Sequence, residues 1–456
     1  MYGCRNGSLT RIDRCTPLRL FLGCVILFLS LGQASAVDVA GCTVISSSGY
    51  YELITDIVNS SLPECIKINA SDVVFDGNGH VIDGTGMSGS KGVYVTGTTI
   101  QITNVTVRNL VVTDWGGGDV GSGIYFHFVK NGEISNVTAL NNVHGIEFWN
   151  ADYITMTSNN ASDNSGNGFV LNYGSDHNII DNNTILNNDY CGIYLVSSTN
   201  WITRSNTLTN NTILKNEGFG IQIKDSDDNT VASNNISDNY IGLYIYDTKG
   251  TRGQFNKIIE NEINLNDYYG VFLDQVDWNT LTDNKINSNN DGIKFKGSNY
   301  NTFKGNTVNS NDHTGIIIES SSSYNSIINN DANRNNNGIF VYNSHSNTIT
   351  DNSFNSNNQK GVSLYSSINN TITDNLVTEN TDGIHLTSSS NSNRIYHNHI
   401  VYNSNNAYDD GTNSWDNGTI GNHYSDFDEV TEGCSDSDSN GICDAAYSIP
   451  GGSNVD

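Results

Sequence analysis

The chain has 456 residues, with 48 acidic against 21 basic side chains and a net charge of −27. That balance excludes nucleic acid and anionic membrane as natural partners, since both would be repelled. It leaves room for cation binding, although only 15% of residues are charged and a solvated acidic surface accounts for the excess equally well.

Residues 1–36 read as a targeting segment. Arg5, Arg11, Arg14 and Arg19 form a basic start, Leu20–Leu31 an apolar run, and Ala34-Ser35-Ala36 a small-residue cleavage site. The run is short for a membrane span and no second one follows, so the mature chain is expected to be exported, at the cell surface or beyond, with no transmembrane span. It would keep 17 basic and 47 acidic residues. Five cysteines would remain, and disulfides are the default for an exported chain. Cys42 pairs with Cys65 and Cys434 with Cys443, each pair being close in sequence and in an end region; Cys191 is left over as a buried corner residue.

Residues 37–90 are expected to form an N-terminal cap and first turn, with Tyr51–Val58 as a short strand or helix over the open end and the stretch from Asp76 to Gly84 as a tight Gly/Asn entry turn. Residues 91–410 then repeat. A glycine opens each unit at 270, 292, 315, 338, 361 and 383, steps of 22 or 23 residues, and can be traced back through 242, 220, 192, 168, 145, 123 and 92. Two asparagines recur inside each unit, at 279, 301, 325, 347, 370 and 393 and about five residues later at 284, 306, 330, 352, 375 and 398. Periodicity of this length signals a solenoid. Apolar and polar residues alternate over only three to five positions, as in Ile339-Phe340-Val341-Tyr342, which is strand period. Gly and Asn would supply φ > 0 at the turns. Three short strands per unit give an all-β solenoid, a parallel β-helix of about 13–14 coils, with corner asparagines stacked as amide ladders. The longer steps carry the stretches Asp114–Asp119 and Asp247–Gly253, expected to project as loops. Residues 411–456 would be a C-terminal cap.

The Cys42…Cys65 segment leading into DGNGHVIDG, the repeating coils, and the ending from Asn406 to Asp416 followed by Gly421–Phe427 resemble the NosD-like right-handed β-helix proteins, near archaeal cell-surface members. The resemblance covers nearly all of residues 40–456. It implies a right-handed β-helix, a carbohydrate-binding or sugar-hydrolase type of module, and a range of roles. The copper-binding label of that family has no matching residues here: the ten His are scattered, and only Met87 and Met156 follow the targeting segment. His397 and His399, at strand spacing, would share a face as a weak metal site.

Strand alternation sends the residue after each repeat glycine inward and the next outward. The outward column then includes Tyr125, Trp149, Tyr194, Tyr244, Tyr246, Phe272, Phe340, Tyr342 and Tyr365, a strip suited to a polysaccharide or other glycan surface. Aromatic residues also simply suit strand surfaces. If the chain were an enzyme, the fallback catalytic pair is Asp274 and Glu319, two rungs apart at roughly 10 Å. Lys296 between them makes an ion-pair ladder the simpler explanation. In the tail, Asp436, Asp438, Asn440, the Ile442 carbonyl and Asp444 match the first nine positions of an EF-hand-type calcium loop, with Gly441 at the sharp turn. Tyr447 stands where the bidentate Glu would be, and an acidic surface turn is the alternative. Ten Asn-x-Ser/Thr sequons run from Asn59 to Asn417. The expected protein is an exported surface β-helix that binds carbohydrate along the aromatic face, with calcium as a structural ion. A purely structural or adhesive envelope protein and a polysaccharide hydrolase, lyase or epimerase are the alternatives.

Overall fold

The computed structural model describes residues 36–456, apart from 98, 99, 119 and 251. The targeting segment therefore lies outside the described residues. The chain winds into a parallel β-solenoid of about 16 turns. Every pairing between its named strands is parallel, each strand bonding to its counterpart one coil on, as in Asn337–Tyr342 beside Lys360–Tyr365. Each coil contributes one long strand to a first sheet and short strands, such as Thr348–Thr350 and Ser353–Asn355, to two others. Inward side chains from all three sheets meet in one continuous core: Ile339, Val341, Ile349 and Phe354 are fully buried.

Counting glycines gave too few coils because three rungs of the first sheet lack the glycine. Thr43–Ile45 and Glu64–Ile68 lead into the sheet, and Asn405–Asp409 ends it. Register places Cys42 and Cys65 one above the other in the glycine column, where their disulfide joins rung to rung with Cα atoms 4.4 Å apart. The segment expected to lie over the open end is itself coil: Gly49–Leu53 and Ile57–Ser60 are rungs of the other two sheets.

The repeat glycine is not a turn residue. Gly338 lies inside its strand, and a Cβ there would meet the Gly361 carbonyl oxygen at 2.5 Å, the Phe354 ring at 2.8 Å and Asn357 Nδ2 at 3.0 Å. Crowding by the third sheet and its following corner excludes a side chain. Left-handed corners are carried instead by residues such as Trp278, Asp283 and Ser288, with φ of 60°, 56° and 56°. The asparagine after each of these turns inward and is buried.

These asparagines form three ladders. Two are the columns seen in the sequence; the third runs through Asn266, Asn289, Asn311 and Asn335. Each amide oxygen accepts from the backbone N–H and the Nδ2 of the coil before, and each Nδ2 donates onward, as Asn261 does to Asn284 (3.0 Å) and Asn284 to Asn306 (2.9 Å). The polarity is uniform, so the last asparagine of each ladder has donors to place. All three end on carboxylates, which accept without donating. Asn413 donates to Asp409, Asn422 to Asp456, and Asn403 through Asn406 to Asp426.

The stretch after Asp114 does not simply project. Trp115 is fully buried, its indole N–H donating to the Ile82 carbonyl at 3.0 Å, in space left by Gly84 and Gly92. The later insertion is pinned: Arg252 donates to the carbonyls of Ser198 and Thr199, tying it to the neighbouring long loop.

Candidate binding face

The outer face of the first sheet follows from strand alternation. Leu243 and Ile245 are fully buried, while Tyr244 and Tyr246 lie outside on the same strand. All nine aromatic residues of the expected column face outward, but they are not equivalent. Tyr244 stacks on Tyr246 at 4.6 Å and on Phe272 at 4.9 Å. Trp149 stacks on Tyr173 at 3.6 Å, and Tyr125 on Tyr94 at 5.5 Å. A ring stacked on its neighbours shows solvent mainly its edge. Burial accordingly pushes up the phenols of Tyr125, Tyr194 and Tyr244. The open rings are farther along. Tyr342 and Tyr365 pair across adjacent rungs, are 43% and 41% exposed, and are tilted 41° to each other, with Phe340 beside them.

The sequence reading did not place Tyr94 or Tyr173 on this face. Tyr94 sits one rung before the first pair considered, and Tyr173 belongs to the corner after its strand. Two outward positions, Val170 and Ser363, are buried at 4% and 5%.

The charged middle of the face is internally paired. Asp274 Oδ2 accepts from Lys296 at 3.2 Å and from the Tyr244 hydroxyl at 3.4 Å. Glu319 pairs with Lys294 at 2.9 Å, on the diagonal, rather than with the Lys296 directly across from it. Each carboxylate of the fallback catalytic pair thus has its own ammonium. Farther toward the N-terminus, burial raises the Glu147 carboxyl, which accepts from the Ser122 hydroxyl.

His397 and His399 do not share a strand face. His397 occupies a left-handed corner at φ 58°, 3.5 Å from Asp374, and buried Asn398 separates it from the strand His399–Val401. The partner of His399 is His423 one coil on, with ring centroids 4.4 Å apart. In the tail, Asp436 accepts the N–H groups of Asn440 and Gly441, Asn440 that of Ile442, and Asp444 that of Ser437. Asp438 accepts from the Asn440 N–H and amide. The Cys434–Cys443 bridge closes this loop. Among the described residues, no three His, Cys, Asp or Glu side chains converge as a metal cage, and no helix is long and apolar enough to cross a membrane.

Two family models match the chain: periplasmic copper-binding protein (NosD) over residues 78–263 and right handed beta helix region over 269–423. Copper does not fit the donors present. Among the described residues Met156 is in the core, Cys191 is buried, the other cysteines are bridged, and the imidazoles that meet are those of His399 and His423. Among solved structures, the A-module of a mannuronan C-5 epimerase from Azotobacter vinelandii is 16% identical, with 84% of this chain and 91% of that one covered and a TM-score of 0.46. Dettilon tailspike protein is 18% identical over 60% of this chain and 59% of its own, at 0.49. The catalytic domain of a GH87 α-1,3-glucanase in complex with nigerose is 17% identical over 65% and 61%, at 0.39. No curated protein sequence matches, and nothing in the comparisons supports an archaeal source. Coil geometry, ladders and both family matches agree on a right-handed parallel β-helix that is similar to the NosD proteins over residues 78–263.

Proposed function

We propose that the outer face of the first sheet binds a polysaccharide laid along the rod, and that the protein works outside the cell. The observation that carries this reading is the open aromatic group of Phe340, Tyr342 and Tyr365. Tyr342 and Tyr365 contribute nothing to the core, yet they stay exposed on adjacent rungs with half-buried Phe340 beside them, an arrangement that suits stacking on sugar rings. Tyr125, Trp149, Tyr194, Tyr244, Tyr246 and Phe272 extend the strip as an edge-on track. The lysine clamps on Asp274 and Glu319 favour binding over turnover. The two disulfides support an oxidising compartment. Calcium in the loop from Asp436 to Asp444 would stiffen the tail. Glycans on corner sequons such as Asn182, Asn210 and Asn369 would leave the face clear, since these asparagines sit at left-handed corners off the first sheet.

Affinity electrophoresis through gels cast with different polysaccharides tests the reading. At least one neutral or acidic glucan, mannan or uronan should retard the protein, and Tyr342→Ala with Tyr365→Ala should remove the retardation. Equal retardation of wild type and double variant would place the contact elsewhere.

A further inference from the structure

A concavity lies between the last rungs of the third sheet and the excursion that carries the acidic loop. Its volume is about 1070 Å³, room for a mono- to trisaccharide-sized ligand. Three features constrain what would enter. Asp374, Asp428, Glu429, Asp436 and Asp456 line it together with His397, His399 and His423, and among the described residues no lysine or arginine does. Phe427, Val430, Ile442 and Tyr447 give it an apolar side. Two buried polar atoms among its lining residues, Tyr424 Oη and Asp456 Oδ1, lie within reach of each other, yet neither has a partner in good hydrogen-bonding geometry.

The orphan on Asp456 stands out against the other ladder ends. Asp409 has both oxygens occupied, by Asn413 and Trp415, and Asp426 has one on Asn406 and one on Tyr447. Asp456 ends its ladder with Oδ2 alone, which accepts the backbone N–H of Asn422 at 2.8 Å and its Nδ2 at 2.9 Å. Tyr424 is only 3% exposed and stacks on Tyr447 at 4.0 Å, so its hydroxyl is held in place beside Asp456.

We propose that this cavity binds a small hydroxylated amine, of the unacetylated hexosamine class. An ammonium brings several donors and a positive charge to a wall of carboxylates. Two of its hydrogens, one to Tyr424 Oη and one to Asp456 Oδ1, would give each oxygen a donor, since a phenol oxygen accepts as well as donates. Burial raises the Asp456 carboxyl, a cost that an adjacent cation would relieve. A bare metal ion would leave the apolar side unused and finds no three-ligand cage here. Anionic sugars would meet five carboxylates, with the imidazoles of His397, His399 and His423 as the basic side chains of the lining.

Isothermal titration of the full chain, with chelator present to silence the acidic loop, compares glucosamine with N-acetylglucosamine and glucuronate. Glucosamine should bind, with the neutral and anionic sugars at least about tenfold weaker. Tyr424→Phe should weaken glucosamine binding severalfold while leaving the melting temperature equal or higher, because it removes an unsatisfied buried hydroxyl. Asp428→Asn, at the exposed rim, should weaken binding without touching stability. Tyr342→Ala with Tyr365→Ala should change none of this. Absence of a glucosamine signal, glucuronate binding as tightly, or wild-type affinity in both Tyr424→Phe and Asp428→Asn would overturn the proposal.

Discussion

The indole N–H of Trp415 donates to Asp409 Oδ2 at 2.9 Å, and both side chains are fully buried at the C-terminal end of the core. The same carboxylate takes both bonds from Asn413 and the N–H of Gly411. Asp409→Ala strands these donors together and should cost about 2–4 kcal/mol. Hydrogen exchange should show the last coils opening first, since a solenoid unfolds through nearest-neighbour contacts. Uniform loss along the rod would contradict this.

Mid-rod ladders should be as demanding. Asn284→Leu removes the acceptor of Asn261 and the donor to Asn306, and also leaves the Ile258 carbonyl short. Its cost is expected at about 3 kcal/mol, against less than about 0.5 kcal/mol for exposed Asp283→Ser at the adjoining corner. Urea denaturation of the two variants checks the contrast.

Inner and outer faces should separate cleanly. Leu243→Ala or Ile245→Ala opens the core and should cost about 2–5 kcal/mol. Tyr342→Ala with Tyr365→Ala should leave folding nearly intact while weakening polysaccharide binding by about 1 kcal/mol or more per ring. Tyr244→Ala with Tyr246→Ala should fall between the two, because those rings pack on each other and on Phe272. Thermal melts beside binding isotherms distinguish the three.

Calcium should act on the tail alone. With calcium present, Asp436→Ala or Asp438→Ala should raise the proteolytic sensitivity of residues 411–456, and in chelator the variants and wild type should converge. If chelator changes neither melting nor proteolysis of wild type, the loop is an acidic turn.

Acid should weaken the N-terminal half through His144. Burial pushes its imidazole down to about 4, and Nδ1 accepts the Asn167 N–H at 3.2 Å, so the folded state holds it neutral. The unfolded chain takes up that proton near pH 6.5. This contribution is therefore complete above about 6.5 and is lost as the pH falls toward about 4. His144→Gln should flatten the melting-temperature profile across that window; an unchanged slope would remove His144 as the cause.

Much of this architecture could be read from the chain because its period is local. The glycine positions, two asparagine columns and the inside–outside register of Ile339 to Tyr342 all repeat within 23 residues. What escaped depends on contacts between distant segments. The third ladder through Asn289 and Asn311 hides in Asn/Ser-rich runs without contrast. The space for Trp115 is made by Gly84 and Gly92 on other strands. Glu319 chose Lys294 over Lys296 through side-chain reach, which alternation does not encode. His397 and His399 looked like strand neighbours because nothing in their spacing announces the corner at His397. Both disulfides were legible, since each closes a short span at an end.

The one-way ladders have a consequence for how long such a rod can be. A coil inside it presents a row of acceptors on one side and a matching row of donors on the other, so whole coils can be duplicated or deleted without leaving any amide unmatched. Length is then a free variable, set by how many identical couplers are threaded together. The end piece is not free: Asp409, Asp426 and Asp456 offer the next coil no donors. A further copy stacked on this tail would find three carboxylates where its own amide oxygens need donors.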